Sequence, residues 1–202
     1  MSDNIQLNAE QIKALLEDLT QRMAARGING HIRIAGGAAM ALRYPNERVR
    51  LTSDIDALYE PRPDIDAIIV EMADQYRLPR NWMNSNGAAW IRVAQSDNTV
   101  SVATNRELAA MKLAAGRAQD IYDLRIIAKD LGISNATELV DIAYEIYGED
   151  SIELPDGRSS YEALAVDAVI RPQPQPSTRT PKSEPIESTP PSEDNPGREP
   201  EF

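Results

Sequence analysis

Residues 31–59 read HIRIAGGAAMALRYPNERVRLTSDIDALY, and the fold is decided in this stretch. Ile32 and Ile34 alternate with His31 and Arg33, the period of a strand, and deliver the chain to Gly36 and Gly37. A turn without side chains, followed by a helix from about Ala38, leaves backbone N–H groups open at a helix N-terminus, where a phosphate oxygen is favoured. The pair lacks the Lys-Ser/Thr of a P-loop and the G-x-G-x-x-G of a dinucleotide fold. The short helix over 38–44 stops at Tyr44-Pro45, because the residue before proline is pushed out of helical geometry. After a polar loop, 53–59 reads as a second strand that carries Asp54 and Asp56. Residues two apart on a strand share a face, so the two carboxylates sit with their Cα atoms about 7 Å apart. They repel unless a cation lies between them. Mg²⁺ (or Mn²⁺) suits the place, since it takes one or two carboxylates and leaves its other positions to water and phosphate.

The totals bound the rest. The chain has 202 residues, no cysteine, one histidine and a net charge of −11. It is long enough for one domain with appendages, and disulfides, thiolate zinc sites and histidine-clustered metal sites are excluded. No basic-then-apolar signal peptide and no membrane-length apolar run is evident, so a cytoplasmic protein without membrane contact is expected. The acidic balance argues against a protein that coats nucleic acid, although Arg43, Arg48 and Arg50 cluster before the acidic pair.

Outward from the core stretch, Asn8 caps a helix whose face is Ile12, Leu15, Leu16, Leu19 and Met23, ended by Gly27 and Gly30. Residues 64–76 repeat the pattern with Ile65, Ile68, Ile69, Met72, Ala73 and Tyr76 on one stripe. An irregular stretch carrying Trp82 follows, then a hairpin turning at Ser96-Asp97-Asn98. Trp90 in its alternating strand reads as core, whereas Trp82 stays open to stack on a base. Thr104 and Glu107 form a capping box for a helix that ends near Gly116. Further helices run from about Ala118 to Leu131, from Ser134 or Asn135, and from Ser160 to about Val169. From Arg171 onward nine of the 14 prolines occur among Ser, Thr and Glu, a composition that predicts a disordered tail. The expected division is an α/β core over 1–103, a helical segment over 104–170 packed on it, and the tail over 171–202.

Gly-Gly after a strand, a spacer, and Asp-x-Asp on the next strand resemble the nucleotidyltransferase superfamily, with its polymerase-β-like fold. Within it the chain is most similar to bacterial AbiEii-type nucleotidyltransferases of toxin–antitoxin and abortive-infection systems, because NRELAAMKLAAGRAQDIYDL looks like their downstream Lys…Arg-x-x-Asp-x-x-Asp helix. The resemblance covers roughly residues 28–147. It implies an α/β fold, a small mixed β-sheet flanked by helices. It also implies Mg²⁺ on Asp54 and Asp56, and an NTP held by Gly36, Gly37, Ser53 and Lys112. Asp120 is implied as a base or metal-linked acid, with Arg117 and Asp123 orienting its neighbours. Without the resemblance, Lys112 reads equally as a surface lysine and Asp120/Asp123 as an exposed helical charge pattern.

The implied activity is transfer of a nucleoside monophosphate to a hydroxyl of an RNA, a protein or a small molecule, with a cognate toxin or antitoxin as partner. Polymerising members of the superfamily carry a third carboxylate on a later strand, and Thr99–Ala103 offers none. Either Asp120 supplies the base, or the chain is a degenerate, antitoxin-like binding or regulatory protein.

Overall fold

The computed structural model of the chain describes residues 5–47, 51–86 and 99–169. Arg48, Arg50, Trp90, Asp97, the predicted hairpin turn and the predicted tail lie outside them. The described residues form an α/β structure with seven helices and a small mixed four-stranded sheet. In chain order the elements are α1 (Ala9–Ala25), β1 (His31–Ile34), α2 (Gly36–Arg43), β2 (Ile55–Glu60), α3 (Arg62–Tyr76) and β3 (Met83–Asn84). After them come β4 (Val100–Val102), α4 (Asn105–Ala115), α5 (Ala118–Leu131), α6 (Ala136–Tyr147) and α7 (Arg158–Val169).

The sheet order is β3-β2-β1-β4. β1 is antiparallel to β2, with Ile34 opposite Ala57, and parallel to β4, with Ile34 opposite Val102. β3 extends the other edge in parallel, pairing Asp56 with Asn84. A further antiparallel bridge joins Leu7 to Thr52 by two backbone hydrogen bonds of 2.8 and 3.0 Å. It anchors the segment that enters β2.

Local signals set most helix ends. Asn8 and Gln11 close a capping box on α1, Thr104 and Glu107 close one on α4, and Asn135 accepts from the Thr137 amide on α6. Gly116 and Gly132 end α4 and α5 in left-handed geometry. The buried faces of α1 and α3 meet each other and the sheet, while α4 packs on α5 and α6, and α7 closes over both. One continuous apolar cluster runs from Ile12 and Leu19 through Ile34 and Ile55 to Leu113, Leu124 and Leu139. Among the described residues no helix is long and apolar enough to cross a membrane.

Several positions differ from their sequence expectation, each for a tertiary reason. Helix α2 begins at Gly36 rather than near Ala38, so the glycines are its first two residues. β2 begins at Ile55, which leaves Ser53 and Asp54 just ahead of the strand and only Asp56 upon it. Arg33 does not alternate outward: it is 8% exposed and its Nη2 donates to Glu107 at 2.5 Å. The ion pair with the capping residue of α4 compensates its burial. Tyr76 leaves the α3 stripe for solvent, where its hydroxyl donates to Asp18. Helix α7 starts at Arg158, two residues ahead of Ser160, where the guanidinium donates to Asp141 and stacks over the Tyr144 ring.

Trp82 is the largest correction: it is fully buried, and its indole N–H donates 3.0 Å to the Ile69 carbonyl. It cannot stack on a ligand; it fills the space between α3 and the β2–β3 edge. Replacing such a side chain by alanine removes its transfer energy and leaves a cavity, for a loss of about 3–5 kcal/mol. Urea unfolding of Trp82→Ala is expected to show a loss in that range and of Trp82→Phe a smaller one. A loss below about 1 kcal/mol for the alanine variant would remove Trp82 from the core.

Candidate functional site

The site is built where the N-terminus of α2, the entry to β2 and the α4–α5 pair converge. The Ala35 amide donates to the Asp56 carbonyl at 2.8 Å, which sets Asp56 beside the start of α2. Gly36 has φ +59°, and a Cβ there would lie 2.6 Å from the Asp56 Oδ2 atom. Both facts require glycine. A Cβ on Gly37 would meet the Thr52 Oγ1 atom at 2.8 Å. The glycine pair therefore lets two segments of the acidic loop approach the helix end closely. Among the described residues no side chain caps α2 at Ala35.

Thr52, held by Leu7, donates its hydroxyl to the Asp54 carbonyl at 3.0 Å, and the Asn84 amide donates to Asp54 Oδ2 at 3.1 Å. The Ser53 hydroxyl lies 3.3 Å from Asp54 Oδ1. Partial burial, and secondarily the adjacent Asp54 charge, push the Asp56 carboxyl above its ordinary value. The Asn84 amide and the Lys112 and Arg117 charges across the cleft pull the other way without reversing it.

The facing wall is a buried ion cluster. Lys112, 6% exposed, donates to Asp120 at 2.8 Å and pairs with Asp123 at 2.9 Å. The Lys112 ammonium is thus inside, not on the surface, and both aspartates, three apart on α5, are buried rather than solvated. Arg117, whose side chain is 76% exposed, donates its Nε to Asp120 Oδ2 at 2.6 Å. Burial raises the Asp120 carboxyl, but hydrogen bonds from Arg117 and Lys112 more than offset it and hold it below its ordinary value. A carboxylate engaged on both oxygens and lowered in pKa is a poor proton acceptor.

Between the walls lie two adjoining cavities of 770 and 580 Å³, which share Ser53, Asp54, Asp56, Lys112, Arg117 and Asp120. Gly37 and Asp123 also line the larger lobe, and Gly36 the smaller. Every candidate residue from the sequence thus borders one cleft. Arg43 does not: its guanidinium donates to the Val102 and Ala103 carbonyls elsewhere. Thr52, Asn84, Gln119 and Tyr122 belong to the site without having been singled out. Only Gln119 and Tyr122 carried a usable signal, their position one helical turn around the Asp120/Asp123 face. Among the described residues no group of three or more His, Cys, Asp or Glu gathers at one point.

No family model, curated protein or solved structure matches the chain.

Truncating Lys112 would leave two buried carboxylates short of their cation, a loss of about 3–5 kcal/mol. Denaturant unfolding of Lys112→Ala is expected to fall in that range, and a loss under about 1 kcal/mol would contradict the cluster's role. The same cluster has a definite pH sign. Asp120 has a folded-state pKa below its unfolded value. Its ion pairs therefore contribute fully above the ordinary carboxylate range, and the contribution is lost as pH falls through about 4 and below. Thermal melts from pH 7 to pH 3 are expected to drop more steeply in the parent than in Asp120→Asn; equal slopes would contradict the pairing.

Proposed function

We propose that the cleft binds a nucleoside triphosphate with a divalent cation and transfers its nucleotidyl group to an acceptor hydroxyl. The observation that carries this reading is the juxtaposition, across one cleft, of an uncapped Gly-Gly helix start, an unneutralised Asp54/Asp56 pair and the preorganised Lys112/Arg117 pair. The donor set fits Mg²⁺: two carboxylates with a raised pKa on Asp56, in a polar open cleft, suit an ion that completes its shell with phosphate and water. Bound there on Asp54 and Asp56, it would supply neutralisation of phosphate charge.

The protein's own contributions follow from the geometry. The first-turn amides of α2 bind phosphate oxygens, assisted by the helix dipole. Asn84 and Thr52 fix the orientation of Asp54. Arg117, aimed by Asp120, presents its remaining N–H donors to the leaving pyrophosphate, and Lys112 adds a fixed positive charge behind them. In the transfer the acceptor oxygen forms a bond to the α-phosphorus as the bond to the oxygen bridging the α- and β-phosphates breaks, pyrophosphate leaves, and the hydroxyl proton passes to water. Positioning and electrostatics supply the rate in such chemistry.

A second reading is favoured by one observation: Asp120 is saturated by Lys112 and Arg117, so the α5 carboxylate implied as base is not available as one. On that reading the cleft binds nucleotide without turnover and the chain acts as a regulatory or antitoxin-like partner.

The two are separated by incubating the protein with Mg²⁺, each α-³²P-labelled NTP and either cellular RNA or protein extract, beside the Asp54→Ala/Asp56→Ala variant. Label is expected to move to one acceptor class with the parent and to fall at least 100-fold with the variant, on the order of a lost metal or electrostatic element. Binding without transfer would select the second reading, and no binding would sink both.

A further inference from the structure

The two lobes of the cleft are not equivalent. Among the five exposed large apolar side chains of the described residues, only Leu51, 44% exposed, lines the cleft, and it lines the larger lobe. The same lobe holds Tyr122, the cleft's aromatic ring, and Gln119 one turn earlier on α5. The smaller lobe has Asn86, Met111 and Ala115 in their place. An apolar side chain and an aromatic face from two separate elements, both left partly open, offer a flat planar group two surfaces to stack on.

Gln119 adds direction. Its Nε2 donates 3.2 Å to Asp123 Oδ1, while Asp123 Oδ2 is paired with the Lys112 ammonium. An exposed amide is thereby held in one orientation by a buried carboxylate, which is itself fixed by a buried lysine. Gln119 lines the lobe, and its Oε1 acceptor and second N–H are not used in that bond, so the amide keeps one acceptor and one donor, the pattern by which a side-chain amide reads a base. A preorganised amide loses less entropy on binding than a free one.

We infer that the larger lobe is a nucleobase subsite, in which the base stacks between Tyr122 and Leu51 and Gln119 hydrogen-bonds its edge. This rests on the triphosphate reading of the waist at Asp54, Asp56 and Lys112, and it names the residues that select among nucleotides. The smaller lobe, without a ring, is left for the acceptor.

The test uses calorimetric titration of the full chain in MgCl₂ with inorganic tripolyphosphate, ATP, CTP, GTP and UTP. Base stacking on a protein ring contributes from several-fold to about 100-fold in affinity. The best NTP is therefore expected to bind at least about tenfold tighter than tripolyphosphate. Tyr122→Ala is expected to remove that advantage and Tyr122→Phe to keep it, with tripolyphosphate binding unchanged in both. Gln119→Ala removes the amide without adding a charge beside Asp123 and is expected to level the affinities of the four NTPs while leaving the stacking advantage over tripolyphosphate. Because Tyr122 is half-buried, Leu51→Asp at an exposed position is the parallel variant, with the same loss expected. Tripolyphosphate and NTP binding alike in the parent would overturn the subsite while leaving the phosphate site standing, as would NTP affinity unchanged in Tyr122→Ala and Leu51→Asp. Binding of neither ligand would overturn the triphosphate reading and the subsite with it.

Discussion

The structure depends on one buried cation. Lys112, in the last turn of α4, keeps only 6% of its surface exposed at the edge of the cleft, and an ammonium so stripped of water needs carboxylates beside it. The chain supplies them within a few residues. Gly116 reverses direction in left-handed geometry, Arg117 stands at the N-cap of α5, and Asp120 and Asp123 arrive on successive positions of one helix face. The lysine, the turn and the two aspartates are a single local device that fixes the angle between α4 and α5. It also fixes the wall of the cleft, since Arg117 and Gln119 take their orientations from the same two carboxylates. A hydrophobic replacement could hold the helices as well, but it could not orient the side chains that face the cavity.

The opposite wall is held by close approach rather than charge. Gly36 and Gly37 lie against Asp56 and Thr52 at distances a Cβ would occupy, so the acidic loop can touch the helix end only because those side chains are missing. The Leu7–Thr52 bridge and the Asn84–Asp54 hydrogen bond then pin the loop from both sides. Asp54 and Asp56 are thereby kept together against their repulsion, and burial, with the Asp54 charge second, raises the Asp56 carboxyl above its ordinary value.

What the sequence revealed follows the range of the interactions. Helix caps at Asn8, Thr104 and Asn135, and stops at Gly116 and Gly132, are decided within four residues and could be read directly. Gly36, Asp54 and Asp56 could be singled out because their spacing reads as strand–turn–helix and strand, whereas Lys112 and Asp120 entered through the resemblance alone, since their burial against each other is set between two helices and not by either helix's own pattern. Trp82, Arg33 and Tyr76 were misjudged because their fates are set by partners 13 to 74 residues away: the Ile69 carbonyl, Glu107 and Asp18. Polarity in the local pattern placed Arg33 outside, and only the ion pair across to α4 brings it in. Asn84 had no signal at all, since its role arises from β3 pairing with β2 at Asp56.

Charge balance explains why the cation demand is confined to one spot. At the waist of the cleft, Asp120 and Asp123 are matched by Lys112 and Arg117 in direct contact, so the α4–α5 wall is formally neutral before any ligand arrives. Asp54 and Asp56 have an asparagine, a threonine and a serine around them instead, and their two negative charges remain. On the proposed reading a divalent ion would cancel that remainder without disturbing the opposite pairs. The guanidinium of Arg117 is exposed yet aimed, with its Nε donating to Asp120 Oδ2 at 2.6 Å and its Nη2 to Asp120 Oδ1 at 3.4 Å. On the proposed reading its remaining N–H groups would donate to a phosphate oxygen without giving up the contact that orients it, since one planar fork can serve both partners. A lysine at 117 would have to choose between Asp120 and the ligand, and the waist would lose either its rigidity or its anion affinity.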